Sequence, residues 1–383
     1  MTGCRIGVGL YALSGAYGPR DPGQVREMLA RAIDLGVDSF DTADQYGPAE
    51  AVLGEAIRPW RQNLFLSTKV GLTEGGGRNC SPAHIRAACE ASLRRLQTDY
   101  IDLYQIHFDD PDTPVAETVG ALEELVTRGW IRHYGVGHLP RERVVEYIQV
   151  GRPWSVMLEC SPVATTTYAD LRPLAEAHGV RLIAMSGTAR GLLTGKIRPG
   201  HAFTAGDIRR IDPLFRRSLF ASGLRVLARL EELARACGRT PVQVALNWTL
   251  SRPGVWRVLV GPSTIAHLEE DLGAQGWRLA SHDLEELDAL LAREEGVRRE
   301  QLAQDVAAIL TAPLPAAGGE AVADLLYALS GMIDLGWAAE REVLPQARAV
   351  LGARRGEGSR RSLEVVQVAL AERLPASPAT GDR

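Results

Sequence analysis

Ser39-Phe40-Asp41-Thr42-Ala43-Asp44-Gln45-Tyr46-Gly47 is the stretch from which the fold is read. Residues 37–40, bounded by the apolar Val37 and Phe40, follow an amphipathic helix closed by Gly36 and read as a short buried strand. The run ends in a carboxylate, Asp41, and five residues later comes Tyr46, beside the turn-forming Gly47-Pro48. A carboxylate at the C-terminal edge of a strand, with a phenol in the next loop, sits where a β/α protein keeps its chemistry.

Working outward, apolar runs and helical periodicity alternate along the chain. Strands are expected at 6–11, 37–41, 64–69, 101–107, 133–137, 155–159, 181–186 and 255–260. Helices are expected at 25–34, 49–58, 82–95, 115–128, 141–150, 170–178, 221–237, 241–251 and 264–272. Eight short apolar strands, each followed by a helix, imply a parallel sheet closed into a (β/α)8 TIM barrel. An open doubly wound sheet fits less well, because Gly7-Val8-Gly9 lies inside the first strand and no G-x-G-x-x-G follows it. Beyond residue 295 helical periodicity continues without a strand pattern, as in Leu302, Val306, Ile309 and Val322, Leu325, Leu329. The chain is therefore divided into a barrel, 1–295, and a C-terminal all-helical extension, 296–383. Within the extension 313–319 and 354–361 read as connectors, Leu325 to Trp337 as the buried face, and the last ten or so residues as frayed.

Composition narrows the function. The 383 residues are 45% hydrophobic and 23% charged, globular values, and the net charge of −4 disfavours a nucleic-acid partner held by bulk electrostatics. No apolar run reaches the ~20 residues of a membrane span, and the N-terminus lacks the pattern of a secretory signal. Five scattered cysteines without a C-x-x-C pair disfavour a disulfide scaffold and a metal site, so a reducing cytoplasm is the simplest compartment. Lys69 and Lys196 are the only lysines, which gives weight to a lysine at a strand end.

Three neighbouring strands end in ionisable groups: Asp41, Lys69 and His107, with Tyr46 in the first loop. In a closed parallel barrel these ends converge on one face. Such a group suits proton transfer to a carbonyl oxygen. A phenol has an unperturbed pKa of about 10, and an ammonium beside it is expected to bring that value toward neutrality. The carboxylate would hold the lysine charged, and a neutral histidine would orient the carbonyl.

The motifs Phe40-Asp-Thr-Ala-Asp-Gln-Tyr-Gly-Pro-Ala-Glu50, Leu53-Gly-Glu-Ala56, Ser67-Thr-Lys69, Asp99 to His107 and Gly191-Leu-Leu-Thr-Gly-Lys196 closely resemble those of the aldo-keto reductases, over roughly residues 5–290. The resemblance implies an NADP(H)-dependent oxidoreductase, with NAD(H) as the alternative. It acts on a small aldehyde, ketone or alcohol, with Tyr46 as acid, Asp41 and Lys69 as its tuning pair, and His107 as orienter. It also implies cofactor contacts from Gly261, Ser263, Thr264, His267 and Glu270 after the last strand, and from His138, Met157, Met185, Ser186 and Leu192 at the nicotinamide end. The helix N-terminus after Thr264 suits phosphate.

The departures from the family pattern are specific. His267 stands where an arginine often grips the extra ribose phosphate. Gly137-His138 replaces Ser-Asn, Met157 replaces a glutamine, and Met185 replaces the aromatic that stacks on nicotinamide. These features look more like the sugar and pyridoxal dehydrogenase branch, which tends toward alcohol oxidation. The hairpin that normally plugs the barrel's bottom is not seen before the first strand. A cofactor-binding sensor with little turnover is the second reading, and the extension is expected to act as a lid, a docking module or a homodimer interface. The charged loop 187–220 reads as solvated by default, with Arg190 and Lys196 as candidate phosphate contacts. Tyr11, Tyr17, Phe108 and Trp130 are candidate substrate contacts, Trp130 more as a packing residue.

Overall fold

The computed structural model describes residues 3–316, 318–338, 340–354 and 360–374. They form two compact units, 1–199 with 229–284, and 200–228 with 285–383. The second unit therefore begins at residue 285, ten residues before the boundary read from the sequence, and also takes in the segment 200–228.

The first unit is a closed parallel barrel in sequential strand order. Its strands are β1 (Ile6–Gly9), β2 (Ser39–Asp41), β3 (Phe65–Val70), β4 (Ile101–Ile106), β5 (Ile131–Gly137), β6 (Ser155–Glu159), β7 (Arg181–Met185) and β8 (Val255–Val260). Around them run α1 (Pro22–Asp34), α2 (Ala49–Ile57), α3 (Pro82–Leu96), α4 (Val115–Thr127), α5 (Arg141–Val150), α6 (Thr166–His178), part of α7 (Arg217–Cys237), α8 (Pro241–Leu250) and α9 (Ile265–Leu272). The expected elements recur within a few residues at each end. The first strand is shorter than read, because Tyr11 already lies in a helical turn, Tyr11–Ser14.

Local chemistry sets the element ends. Asp21 caps α1 by accepting from the Gln24 N–H at 2.8 Å, and Thr240 with Gln243 forms a reciprocal cap on α8. Register fixes which residues face inward: Asp41 pairs with Ser67, Lys69 with Gln105, and Gly137 with Met157. At the strand starts Trp154 stacks on Phe65 at 5.4 Å and meets Trp256 edge-on at 4.8 Å. This aromatic floor packs under the interior residues Leu103, Met157 and Ile183. Side chains of the strands themselves therefore fill the barrel's N-terminal end.

The second unit is helical: the remainder of α7, most of α10 (Ser281–Thr311), α11 (Gly318–Asp334), α12 (Glu340–Arg354) and α13 (Arg360–Ala371). Leu302, Val306, Leu325, Tyr327, Met332 and Leu363 lie in its core, so the apolar face read around Leu325 to Trp337 is the buried one. Of the connector read at 313–319, residues 313–316 lie between α10 and α11, while Gly318 and Gly319 already belong to α11. Of that read at 354–361, Arg354 ends α12 and Arg360 opens α13; residues 317, 355–359 and the expected frayed tail from 375 lie outside the described residues. Among the described residues no helix is long and apolar enough to cross a membrane.

Candidate active site

The C-terminal ends of β2, β3 and β4 bring Asp41, Lys69 and His107 together, because each closes a strand whose inward face alternates with period two. Lys69 is 1% exposed, and its ammonium donates to Asp41 Oδ1 and to the Thr42 carbonyl at 2.8 Å. Asp41 Oδ2 accepts from Ser67 Oγ at 2.5 Å and from Gln105 Nε2 at 3.5 Å. A buried ion pair holds its place only when the remaining lone pairs are satisfied. Ser67 and Gln105 do this, and sequence reading missed both. They lie two residues before Lys69 and His107 on the same inward faces, so strand alternation was the available signal.

The Tyr46 hydroxyl lies 3.3 Å from His107 Nε2. The Lys69 ammonium stands 5.1 Å from the Tyr46 ring centroid. Tyr11 packs edge-on against Tyr46 at 5.0 Å, and Tyr17 against Tyr11 at 5.7 Å. The electrostatic outcome differs from the expectation of an acidified phenol. Burial first, then the Asp41 carboxylate, pushes the Tyr46 pKa well above its ordinary value. Lys69 spends its charge on Asp41, so the resting phenol keeps its proton. His107 is pushed well below the usual imidazole range, by burial and then by Lys69 and His138, and is neutral.

The other expected site residues divide into two groups. Around the N-terminus of α9, Thr264 caps the helix, Ser263 Oγ sits 2.8 Å from His267 Nδ1, and Lys196 Nζ sits 2.9 Å from His267 Nε2. Burial, with Lys196 next, lowers the His267 pKa, while Glu270 acts in the opposite sense. Gly261 leaves open space, since a Cβ there would meet only the Gly9 carbonyl, at 3.8 Å. An exposed ammonium, two hydroxyls and free helix N–H groups together form a donor set for phosphate. The Lys196 ammonium reaches this helix end from 71 residues away in sequence.

At the β5, β6 and β7 ends the picture is less polar. His138 is half-buried at φ +50°, and burial pushes its pKa down to about 4. Met157 is 2% exposed and packs with Leu103 and Ile183 inside the barrel, so its side chain belongs to the core below the mouth. A Cβ on Gly137 would come within 2.9 Å of Met157 Cε, which ties the two departures together: the methionine occupies room that a serine would need. Met185 is half-buried, Ser186 has φ +57°, and Leu192 is fully buried. Arg190 donates to Glu159 Oε2 at 3.1 Å, a pairing that sequence reading did not foresee. Trp130 precedes β5, at the opposite end of the barrel, and is removed from the substrate candidates. Some loop arginines are paired, Arg209 with Asp207 at 2.6 Å and Arg198 with Glu231, while Arg198, Arg210 and Arg217 remain exposed as read.

Residues 5–292 match the model of the aldo/keto reductase family. Aldo-keto reductase YhdN of Bacillus subtilis is 32% identical over 75% of this chain and 89% of its own length. Aldo-keto reductase yakc [NADP(+)] of Schizosaccharomyces pombe is 29% identical over 74% of this chain and 86% of its own. Among solved structures, the glycerol dehydrogenase AKR11B4 from Gluconobacter oxydans is 30% identical, with a TM-score of 0.70, over 76% of this chain and 92% of that one. An aldo/keto reductase from Klebsiella pneumoniae, in complex with NADP and acetate, is 28% identical, with a TM-score of 0.59, over 75% and 91%.

Proposed function

Since the chain belongs to the aldo/keto reductase family, we propose that it interconverts a small carbonyl compound and its alcohol with NADP(H) as hydride carrier. The observation that carries this reading is the Tyr46 hydroxyl, 3.3 Å from a neutral His107 and beside the buried Lys69–Asp41 pair. The nicotinamide, when bound, supplies or accepts the hydride.

Tyr46 gives its proton to the carbonyl oxygen in the reducing direction. Its raised pKa keeps that proton in place at neutral pH, and the Lys69 ammonium, 5.1 Å from the ring centroid, offsets the charge of the phenolate left behind. Asp41 keeps Lys69 charged and fixed. Neutral His107, whose Nε2 lies 3.3 Å from the Tyr46 hydroxyl, donates a hydrogen bond that orients the carbonyl oxygen. In the oxidising direction Tyr46 must first lose its proton, so that rate climbs with pH while the reducing rate stays flat across neutrality.

Lys196, Ser263, Thr264 and His267 support the phosphate-bearing cofactor, and so do the names of the yeast relative and the Klebsiella complex. Lys196→Ala is expected to raise KM for NADPH roughly tenfold, the size of a lost charge-assisted hydrogen bond, and to leave KM for NADH nearly unchanged. Equal effects on both cofactors would remove the discriminating role of Lys196. The likeness to a glycerol dehydrogenase favours oxidation as the second direction to test.

The test follows nicotinamide absorbance with NADPH against aldehydes and ketones, and with NADP⁺ against polyols, from pH 6 to 10. Tyr46→Phe is expected to lower turnover about 10²- to 10⁴-fold, the usual contribution of a positioned acid, with cofactor affinity kept. Turnover near the wild-type level in that variant would end the role assigned to Tyr46.

A further inference from the structure

His107 is a ring with one polar anchor. Its Nε2 meets Tyr46 at 3.3 Å, whereas its Nδ1 is buried without a hydrogen-bond partner. An imidazole that must present a chosen nitrogen is ordinarily fixed by what the other nitrogen bonds. Here that bond is lacking, and a single contact at Nε2 does not by itself fix the plane of the ring.

Aromatic packing takes the place of that bond. Phe108 stacks on His107 with centroids 4.8 Å apart and planes 28° apart. On Phe108 in turn lies His138, at 4.7 Å and 17°, and its ring also reaches His107 at 5.8 Å. The Arg78 guanidinium adds a contact with Phe108 at 5.3 Å. His138 takes φ +50°, a backbone region that non-glycine residues adopt rarely and histidine more readily than most. This conformation, at the end of β5, delivers the ring to the stack. Burial favours the neutral form of both imidazoles, so the two rings approach without charge repulsion.

We propose that Phe108 and His138 are positioning residues for His107: their rings, in place of a hydrogen bond at Nδ1, fix the orientation in which Nε2 faces the Tyr46 hydroxyl. The effect on carbonyl turnover rests on the function proposed above; the stack itself does not. His138 acts through its ring face, so the asparagine usual at this position in the family is a poor substitute here.

Four variants separate the alternatives. Phe108→Tyr keeps the ring, Phe108→Leu keeps the bulk without it, His138→Asn tolerates the positive φ without the ring, and Tyr46→Phe is the kinetic reference. Two readouts are taken: kcat/KM for a carbonyl substrate with NADPH, and ¹⁵N-histidine NMR of the protein without cofactor or substrate. Phe108→Tyr is expected to stay within about threefold of wild type. Phe108→Leu and His138→Asn are expected to lose roughly tenfold in kcat/KM, the scale of one lost aromatic pair. In those two the His107 nitrogen signals should also shift and broaden as the ring plane loosens, with NADPH affinity by fluorescence quenching unchanged.

A His138→Asn enzyme as active as wild type, or one altered mainly in NADPH affinity, would overturn the proposal in favour of a direct cofactor contact. Kinetic loss in Phe108→Leu with unmoved His107 signals would also overturn it and make Phe108 a substrate contact. If the wild type reduces no carbonyl, the function reading fails, while the NMR arm still decides whether the rings orient His107.

Discussion

Asp44 shows how much a single carboxyl near the site can cost. It lies two residues before Tyr46, its Oδ1 is buried without a partner, and burial with the nearby Glu50 raises its pKa from 3.8 to about 7. A carboxyl whose folded pKa is raised contributes stability fully below about pH 3.8, and that contribution is lost as pH climbs to about 7. Above that value the fold carries an ionised, poorly solvated group. Asp44→Asn is therefore expected to raise Tm by a few degrees at pH 8 and by less at pH 5, as thermal unfolding at the two pH values would show. An equal gain at both would mean that Asp44 is ionised throughout. At this scale the sequence made the tetrad legible, because Asp41, Lys69, Tyr46 and His107 are chemically unusual at strand ends. The proton balance of Tyr46 was not legible. Whether burial or an ammonium controls a phenol depends on Lys69 being spent on Asp41, a matter of ångströms that residue types do not encode.

At the scale of elements, the barrel was readable because the alternation of short apolar strands with amphipathic helices admits few closed arrangements. Element ends were less so, as Tyr11 shows by leaving the first strand for a helical turn. Close helix approach was also hidden. Gly54 in α2 sits against the end of α3: a Cβ there would lie 2.5 Å from the Leu96 carbonyl carbon and 2.7 Å from its Cα. Neither backbone atom can swing aside, so the helices would have to separate. Gly54→Ala is expected to destabilise the protein by about 1–3 kcal/mol, as overpacking does. Gly120, in α4, meets nothing within 4 Å, and Gly120→Ala should stabilise by about 0.5–1 kcal/mol through backbone entropy and helix propensity alone. Denaturant melts of the pair give the comparison. Opposite signs are expected from the same chemical change, and a shared sign would mean that the α2–α3 approach is looser than described.

For the whole molecule, the unexpected feature is the membership of 200–228 in the helical unit. Apolar periodicity after residue 295 announced helices, but it carried no sign that a loop from the middle of the barrel sequence would pack with them. Ion pairs and hydroxyl bonds make the attachment. Asp324, 5% exposed, receives Arg216 at 2.7 Å and Arg217 at 3.0 Å. The Tyr327 hydroxyl joins Ser218 at 2.8 Å to Asp305 at 2.9 Å, and Glu294 holds Arg225 at 2.8 Å. A chain cut at 295 would keep all of these arginines and lose Asp324, Tyr327 and Asp305, leaving the segment without its core. Asp324→Ala should cost roughly 2–3 kcal/mol, below the upper range for buried pairs because Arg217 is 38% exposed on its side chain. It should also open the segment to trypsin at Arg209 and Arg216, which the intact protein holds half-buried. The truncated chain is expected to show the same cleavage, faster. If it instead resists trypsin as well as the full chain and melts at the same temperature, the segment holds its fold without the helices, and the division of the molecule lies at 295 after all.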